Sequence, residues 1–258
     1  NQYTGFVDQV PTGWSAGRTI IIVSPSIPAH VYALFTRGFT NALSQLRDYQ
    51  VQLRQSTDGG VLWTTVTLPN GWANIPWHAL SMAVDPVNEH KIVVGGLDTY
   101  VLNNANAPAI TPLDWIRLSD WAAMYYLQDP NLTPEERAEI QARYVHADMH
   151  DIQYLNNDSD EVLITSDGGV FYTDNMSLTN SINPENPGQP FPAFQHINNG
   201  LNTTQYYYAR LHPAAGKYEI VGGTQDNGCI YTNNQQGTEN MISGGDGGYC
   251  FWDRDDPA

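Results

Sequence analysis

Short apolar runs alternate with Gly, Asn, Asp and Pro along most of the chain. The runs at 20–23, 31–35 and 161–165 are of strand length and are rich in β-branched or aromatic residues. Apolar runs of this length, bounded by turn-forming residues, are typical of strands, because helices need longer stretches with a different period. The pattern therefore predicts an all-β protein.

A turn built from Asp and Gly recurs between these runs. The Asp carboxylate can accept hydrogen bonds from the next backbone amides, and Gly adopts the positive φ that such a turn requires. One such turn indicates only a hairpin, whereas a series in one chain indicates a repeat architecture. We assign structural turn roles to Asp58, Gly60, Trp63, Asp167, Gly169, Asp226 and Gly228.

The turns divide the chain into similar units, which we place at 18–69, 78–118, 150–197 and 205–243, with the start of another at 246. A four-stranded sheet that repeats about every 40–50 residues is a β-propeller blade. A two-sheet sandwich is the alternative, but it does not explain why each unit restarts with the same strand order. The sequence predicts a β-propeller with about four to five visible blades, forming part of a larger propeller.

Three segments depart from this repeat. Thr133 is a candidate N-cap, and the Pro and two acids that follow it are favourable in a first helical turn. We therefore predict a short helical insertion near 133–143. We also predict an insertion at 37–48 in the first unit and an outer strand at 113–118 in the second.

The charge of the chain limits its partners. It carries 27 acidic and 11 basic residues, a net charge of −16. Nucleic-acid binding needs clustered Lys and Arg, so we expect no nucleic-acid partner. No apolar run approaches the roughly 18 residues of a spanning helix, so we expect no membrane insertion in this segment. The acidity is compatible either with solubility alone or with cation binding.

The chain has two cysteines, Cys229 and Cys250, too few for a disulfide scaffold or a zinc finger. In an exported protein they could form one disulfide between neighbouring repeats, and the alternative is two buried thiols. We expect the chain to belong to a longer, processed protein.

Polar side chains begin the innermost strand of successive units: the alignment places His78, His150, Gln205 and Asp246 at equivalent positions. Because innermost strands surround the central channel of a propeller, we expect these side chains to gather at one mouth of it. In an extended segment, residues two apart lie on one side. His146 and Asp148 would then share the side of His150.

Imidazole with carboxylate suits a transition metal or zinc, whereas carboxylates with carbonyls suit calcium. The sequence therefore predicts a possible Ca or Zn site, and the alternative is a hydrogen-bonded network without an ion. The candidate metal ligands are His146, Asp148, His150, Asp226 and Asp246. Asp148, Asp226 and Asp246 are also candidate catalytic acids or bases, which would require two carboxylates at a defined separation.

Ser56-x-Asp58-x-Gly60-x-Leu62-Trp63 resembles the Asp-box, or bacterial neuraminidase (BNR), repeat and departs from it at Leu62. In that family these residues are structural turns and not the active site. A looser version of the same pattern occupies residues 165–172, around the Asp167 turn.

Longer blocks carry a more specific resemblance, over about residues 78 to 256. Together they resemble secreted bacterial Asp-box β-propeller proteins related to xyloglucanase-type and sortilin-type propellers, many of them type IX secretion cargo. The resemblance implies a propeller fold and export. In order, the blocks are His146-Ala-Asp148-Met-His150, Asp167-Gly-Gly-Val-Phe171, Asn198-Asn-Gly-Leu201-Asn-Thr-Thr-Gln-Tyr206, Gly222-Gly-Thr-Gln-Asp226-Asn-Gly228 and Gly245-Asp-Gly-Gly248.

The same resemblance leaves activity open. Xyloglucanase-type members use two catalytic aspartates between two propeller domains, and neither aspartate can be placed on a residue of this chain. The arginine triad by which sialidases bind a carboxylate is not visible either. Fold alone does not confer activity.

We therefore expect an extracellular or cell-surface propeller module, non-catalytic, for adhesion, assembly or glycan binding. Its expected partners are a polysaccharide or cell-surface and secretion proteins. The alternatives are a glycoside hydrolase of xyloglucanase-like or sialidase-like type and a metal-stabilised scaffold. Aromatic residues can stack on sugars or pack between blades. The candidates are Trp72, Trp77, Trp121 and Tyr206–Tyr208.

Overall fold

The computed structural model describes residues 15–40, 47–178, 191–201, 203–233 and 239–253. Its strands form four antiparallel sheets, each of four strands in sequence order. The chain divides into two compact units, Asn1–Asn198 with three sheets and Asn199–Ala258 with the fourth. The all-β prediction is confirmed.

The first sheet consists of β1 (Ser15–Val23), β2 (Val31–Thr40), β3 (Arg47–Ser56) and β4 (Thr64–Val66). The predicted insertion at 37–48 is wrong for residues 37–40 and 47–48. These residues belong to the paired strands β2 and β3, whose pairing runs from Arg37 with Gln50 to Thr40 with Arg47. Residues 41–46 lie outside the described residues. The apolar pattern failed here because Arg37, a charged residue, is only 2% exposed and occupies a core position.

The second sheet consists of β5 (Ser81–Val84), β6 (Ile92–Gly95), β7 (Thr99–Leu102) and β8 (Ile116–Arg117). The strand predicted at 113–118 is therefore only two residues long. Pro112–Asp114 forms a 3-10 turn instead, because the Asp114 carboxylate accepts from the Thr111 amide at 2.7 Å. Local capping competes with sheet pairing at this position.

The third sheet consists of β9 (Met149–Tyr154), β10 (Val162–Ser166), β11 (Gly169–Thr173) and β12 (Gln195–His196). Two helices precede it, α1 (Ala123–Tyr126) and α2 (Pro134–Arg143). The predicted helix near 133–143 is confirmed. Thr133 Oγ1 accepts from the Glu136 amide, and the Glu136 carboxylate accepts from the Thr133 amide at 2.9 Å, which satisfies two amides at the helix start.

The second unit contains β13 (Tyr206–Leu211), β14 (Ile220–Thr224), β15 (Cys229–Thr232) and β16 (Glu239–Ser243). Tyr206 packs its ring over Gly222, where a side chain would clash. The structure assigns no strand to residues 246–253, the described part of the predicted further unit. That unit stays a prediction.

Two hydrophobic clusters hold the first unit together. One lies between the first two sheets and includes Leu34, Leu53 and Leu80, and the other includes Met149 and Ile164 and lies between the second and third sheets. Strand β6 is buried along its whole length, because its alternate side chains enter the two clusters.

The first strands of the three sheets are neighbours, since β5 lies against both β1 and β9. Successive four-stranded meanders that pack face to face, with their first strands adjacent, are the arrangement of β-propeller blades. Among the described residues, no helix has the length and apolar character needed to cross a membrane.

Candidate functional site

The first strands bring three polar side chains together in the first unit. His78 precedes β5, His150 lies in β9, and Asp167 occupies the two-residue turn between β10 and β11. One ligand atom from each, an imidazole nitrogen or a carboxylate oxygen, lies within 4.8 Å of the other two. We call these three residues the His–Asp cluster.

One carboxylate lies beside both imidazoles of the cluster. The Nε2 atom of His150 lies 2.5 Å from Oδ1 of Asp167, and the Nε2 atom of His78 lies 3.5 Å from Oδ2. The two rings meet edge to face, with their centroids 5.0 Å apart. His78 Nε2 is shielded from solvent and has no hydrogen-bond partner among the described residues, so the cluster contains an unsatisfied polar atom.

The backbone of the cluster is fixed from the first sheet. Arg18, in β1, donates from its guanidinium to the carbonyl of His78 and, at 3.4 Å, to the carbonyl of His150. One arginine therefore links the chain at the first strands of all three sheets.

Asp148 adjoins the cluster in a left-handed conformation, with φ 62°. The expectation that an extended segment places it on one side with His146 and His150 is wrong, because this φ breaks the strand and β9 begins only at Met149. Burial raises the pKa of the Asp148 carboxyl and Asp167 adds to the rise, whereas the three nearby histidines oppose it.

His146 lies beside the turn that holds Asp167 but is not one of the three converging side chains. Its Nδ1 is 2.9 Å from the Ala147 carbonyl. Its ring packs over Gly168, where a Cβ atom would approach the imidazole to 2.4 Å.

Asp226 and Asp246 belong to the second unit, where they contact each other. The Asp226 amide donates to Oδ1 of Asp246 at 3.0 Å. Close by, the backbone amide of Gln225 donates to the carbonyl of Gln205. Gln205 is another of the residues predicted to begin an innermost strand. Asp226 has φ 60° and precedes Gly228, whose φ is 73°, in the turn between β14 and β15.

The turn after β3 shows why Asp and Gly are needed there. Asp58 Oδ1 accepts from Ser56 Oγ at 2.8 Å and from the Val61 and Leu62 amides at 3.0 and 2.9 Å. These hydrogen bonds, that from the Leu62 amide foremost, lower the pKa of Asp58. Trp63 Nε1 donates to the Gly60 carbonyl at 2.9 Å, which closes the turn. The link to the Asp-box family stays a prediction.

The corresponding turn of the third sheet contains Asp167 and Gly168, with Gly169 at φ 103°. Asn198 supports it, accepting from the Val170 amide at 2.7 Å and donating to the Gly168 carbonyl at 3.1 Å. In the second unit, Cys229 and Cys250 form a disulfide.

The candidate aromatic residues differ in exposure. Trp72 is a core residue, only 4% exposed, so it cannot stack on a ligand. Trp77 is 53% exposed, and its ring lies 6.1 Å from that of Tyr49 and 5.9 Å from that of His78. Trp121 is half-buried against Tyr125. The Trp77 surface is therefore continuous with the His–Asp cluster.

Tyr207, the middle residue of the aromatic run in the second unit, is 51% exposed. Its two neighbours in the run, Tyr206 and Tyr208, are half-buried.

Two further features lie elsewhere in the first unit. His30, Glu89 and His90 also place three ligand atoms within 4.8 Å of one another. A concavity of about 520 Å³ lies beside α2 and is lined mainly by apolar side chains, among them Tyr144 and Phe194. Its polar side chains, Gln141, Gln195 and His196, include no carboxylate, so it offers less chemistry than the His–Asp cluster.

No protein-family model and no curated protein matches this chain. Among solved structures, it is similar to a GH74 enzyme from Niastella koreensis, with 15% identity and a TM-score of 0.31, over 86% of this chain and 24% of that one. It is also similar to YCF48 from Cyanidioschyzon merolae, with 12% identity and a TM-score of 0.25, over 89% of this chain and 88% of that one. The chain therefore spans about a quarter of the length of the GH74 structure.

Sequence reasoning missed two members of this site. Asp167 was assigned only to a turn, and Arg18 was assigned no role. The signal for Asp167 was available: the strand that carries His150 pairs with the strand that ends at this turn. Arg18 has no comparable local signal, since its partners are distant in the chain.

Proposed function

We propose that this chain is a non-catalytic β-propeller module of a secreted or cell-surface protein and that it binds polysaccharide at the surface around Trp77. The observation that carries the proposal is the half-exposed Trp77 ring, which contacts Tyr49 and lies beside the His–Asp cluster. Isolated exposed aromatics are ordinary, but an aromatic pair beside grouped polar side chains offers both stacking and hydrogen bonding.

The chemistry around Trp77 favours a neutral sugar chain. The indole face provides apolar area for a pyranose ring, and the adjacent imidazoles and the Asp167 carboxylate can exchange hydrogen bonds with hydroxyl groups. The net charge of −16 disfavours an acidic polysaccharide, which the protein would repel. A neutral polysaccharide is therefore the expected class of ligand.

The disulfide between Cys229 and Cys250 supports the proposal that the protein is secreted or lies at the cell surface. Disulfides persist in oxidising compartments and are rare where thiols are kept reduced. Adhesion or assembly through a protein partner is the alternative use of the same surface.

The test is isothermal titration of the purified chain with neutral β-glucan oligosaccharides, xyloglucan-derived ones included, and with an acidic polysaccharide. We expect binding of a neutral glycan and a loss of about 5- to 30-fold in Trp77→Ala, because a stacked ring contributes on the order of 1–2 kcal/mol. Tyr126→Ala is the matched control, since Tyr126 is 55% exposed on α1. Equal binding by Trp77→Ala and wild type, or no binding to any neutral glycan, would contradict the proposal.

A glycoside hydrolase is the second candidate, favoured by the two carboxylates at the cluster. Asp148 has a raised pKa, as a general acid requires, and Asp167 is a second carboxylate close enough to contribute to that rise. Release of reducing sugar from a glucan panel, lost in Asp148→Asn, would support it. A chain that binds glycan without releasing sugar excludes it for that panel.

A further inference from the structure

We propose that the His–Asp cluster is a binding site for a divalent transition-metal ion of the zinc type. His78 and His150 would each provide Nε2, and Asp167 would provide a carboxylate oxygen. This inference goes beyond glycan binding and does not depend on it.

The donor set selects the class of ion. Two imidazole nitrogens with one carboxylate oxygen are a ligand combination that zinc accepts, with a further position left for water. Calcium and magnesium prefer oxygen ligands, and this cluster contributes only one oxygen-bearing side chain among its three. Of the two ions suggested by the sequence, the cluster therefore favours zinc.

The distances suit such an ion. Around tetrahedral zinc, with bonds of about 2.0–2.1 Å, neighbouring ligand atoms lie about 3.3 Å apart. His78 Nε2 and Asp167 Oδ2 are already 3.5 Å apart. His150 Nε2 and Asp167 Oδ1, at 2.5 Å, would have to separate by roughly 1 Å, which rotation of the two side chains can provide.

An unsatisfied atom also points to a missing partner. His78 Nε2 is shielded from solvent and has no hydrogen-bond partner among the described residues. A cation between the imidazoles would give this nitrogen a partner. It would also replace the proton between His150 and Asp167, so that the bound imidazoles carry their protons on Nδ1.

The cluster is both held in place and accessible. Arg18 fixes the backbone carbonyls of His78 and His150, so the ligands are positioned before an ion arrives. The side chains of His78, His150 and Asp167 are 36%, 33% and 27% exposed, which allows an ion to enter from solvent.

The His30–Glu89–His90 group would compete with the His–Asp cluster for the same ion, because it offers the same types of ligand atom. Glu89 and His90 are sequence neighbours, with Oε1 and Nε2 3.4 Å apart. In the His–Asp cluster the ligands come from three separate segments, and Arg18 binds the backbone of the two that carry His78 and His150. Removing one imidazole from this second group, as in His90→Ala, is therefore a matched control for removing one from the His–Asp cluster.

The experiment is titration of the chelator-treated full chain with Co²⁺, followed by visible d–d absorption, and then displacement by Zn²⁺. We expect one equivalent of Co²⁺ to produce tetrahedral-type bands. We also expect affinity at least about 100-fold weaker in His150→Ala and in Asp167→Asn. His90→Ala and Tyr126→Ala, both outside the cluster, should titrate like wild type.

Three results would overturn the proposal: no d–d bands in the wild type, equal titration of His150→Ala and wild type, or a loss confined to His90→Ala. Circular dichroism of each variant establishes that it is folded before its titration is interpreted. His78→Gln is a second ligand variant of similar size, should His150→Ala fail to fold.

Discussion

Arg18, in the first strand of the first sheet, donates a hydrogen bond to the main-chain carbonyl of His78, which leads into the second sheet. The same guanidinium reaches the carbonyl of His150 in the third sheet, at 3.4 Å. These contacts are made to backbone, so they link the sheets whatever side chains stand at 78 and 150. Charged donors to carbonyls contribute about 1.5–3 kcal/mol when partly buried.

We therefore expect Arg18→Ala to lower the free energy of unfolding by about 1–3 kcal/mol. The free energy of unfolding of Arg18→Lys should lie between those of wild type and Arg18→Ala. Urea unfolding measured by tryptophan fluorescence is the appropriate experiment. Gln50→Ala, an exposed position in the same sheet, should change stability by less than about 0.5 kcal/mol. A similar loss in both alanine variants would mean that Arg18 does not join the sheets.

A second prediction concerns the contact between Gly168 and His146. Because a Cβ atom at 168 would lie 2.4 Å from the imidazole, Gly168→Ala must displace His146 or the turn. We expect a loss of about 1–3 kcal/mol in stability. Gly244→Ala, with no neighbour within 4 Å of the added Cβ, should be nearly neutral. Differential scanning calorimetry compares the two, and equal melting temperatures would contradict the packing argument.

A third prediction concerns pH and Asp98. This carboxylate is 5% exposed and lies 2.8 Å from the Arg117 guanidinium. Burial raises the pKa of Asp98 to about 6, although Arg117 opposes the rise. The folded state therefore favours the protonated acid, and this stabilisation is present below about pH 4 and lost as the pH rises through about 6.

Asp98→Asn should accordingly gain stability relative to wild type as the pH increases from about 4 to about 7, by on the order of 2 kcal/mol. Urea unfolding of both proteins across that range measures the difference. Asp114→Asn should show no such gain over that range, because the backbone amide of Thr111 lowers the pKa of Asp114, so this carboxylate stays charged from about pH 4 upward. A difference between wild type and Asp98→Asn that does not vary with pH would show that Asp98 has an ordinary pKa.

A fourth prediction concerns the disulfide in the second unit. It joins cysteines 21 residues apart, and closing a loop of that length contributes about 3 kcal/mol in the chain-entropy account. We expect reductant, or Cys229→Ser with Cys250→Ser, to destabilise this unit by about 2–4 kcal/mol. Reductant should leave the double variant unchanged, and an unaltered wild-type melting curve under reductant would contradict the prediction.

The sequence predicted the local features of the fold well. Strand–turn alternation and the Thr133 cap depend on neighbours within a few residues, so β10 with its Asp167 turn and helix α2 followed from pattern alone. The pattern failed where distant parts of the chain decide the outcome. Arg37 is buried by packing rather than by its own hydropathy, and its strand was therefore interrupted in the prediction.

The candidate site was predicted only in part for the same reason. His150 was identified through its position at the start of an innermost strand, and His78 was placed beside it by the repeat alignment. Asp148 was expected on the same side as His150, but its left-handed φ of 62° is not visible in a residue pattern. The contribution of Asp167 follows from the pairing of β9 with β10, which brings the turn after β10 beside His150, whereas the residue pattern identified Asp167 only as a turn residue.

The contacts of Arg18 have a consequence for how the chain matures. Arg18 and His150 are 132 residues apart, so their contact cannot form until most of three sheets has been synthesised, and long loop closures of this kind come late in folding. A chain that stops short of Asp167 leaves His78 without the carboxylate that lies beside it in the complete unit. The complete cluster therefore distinguishes a chain that extends at least through Asp167 from a shorter, nascent or clipped one.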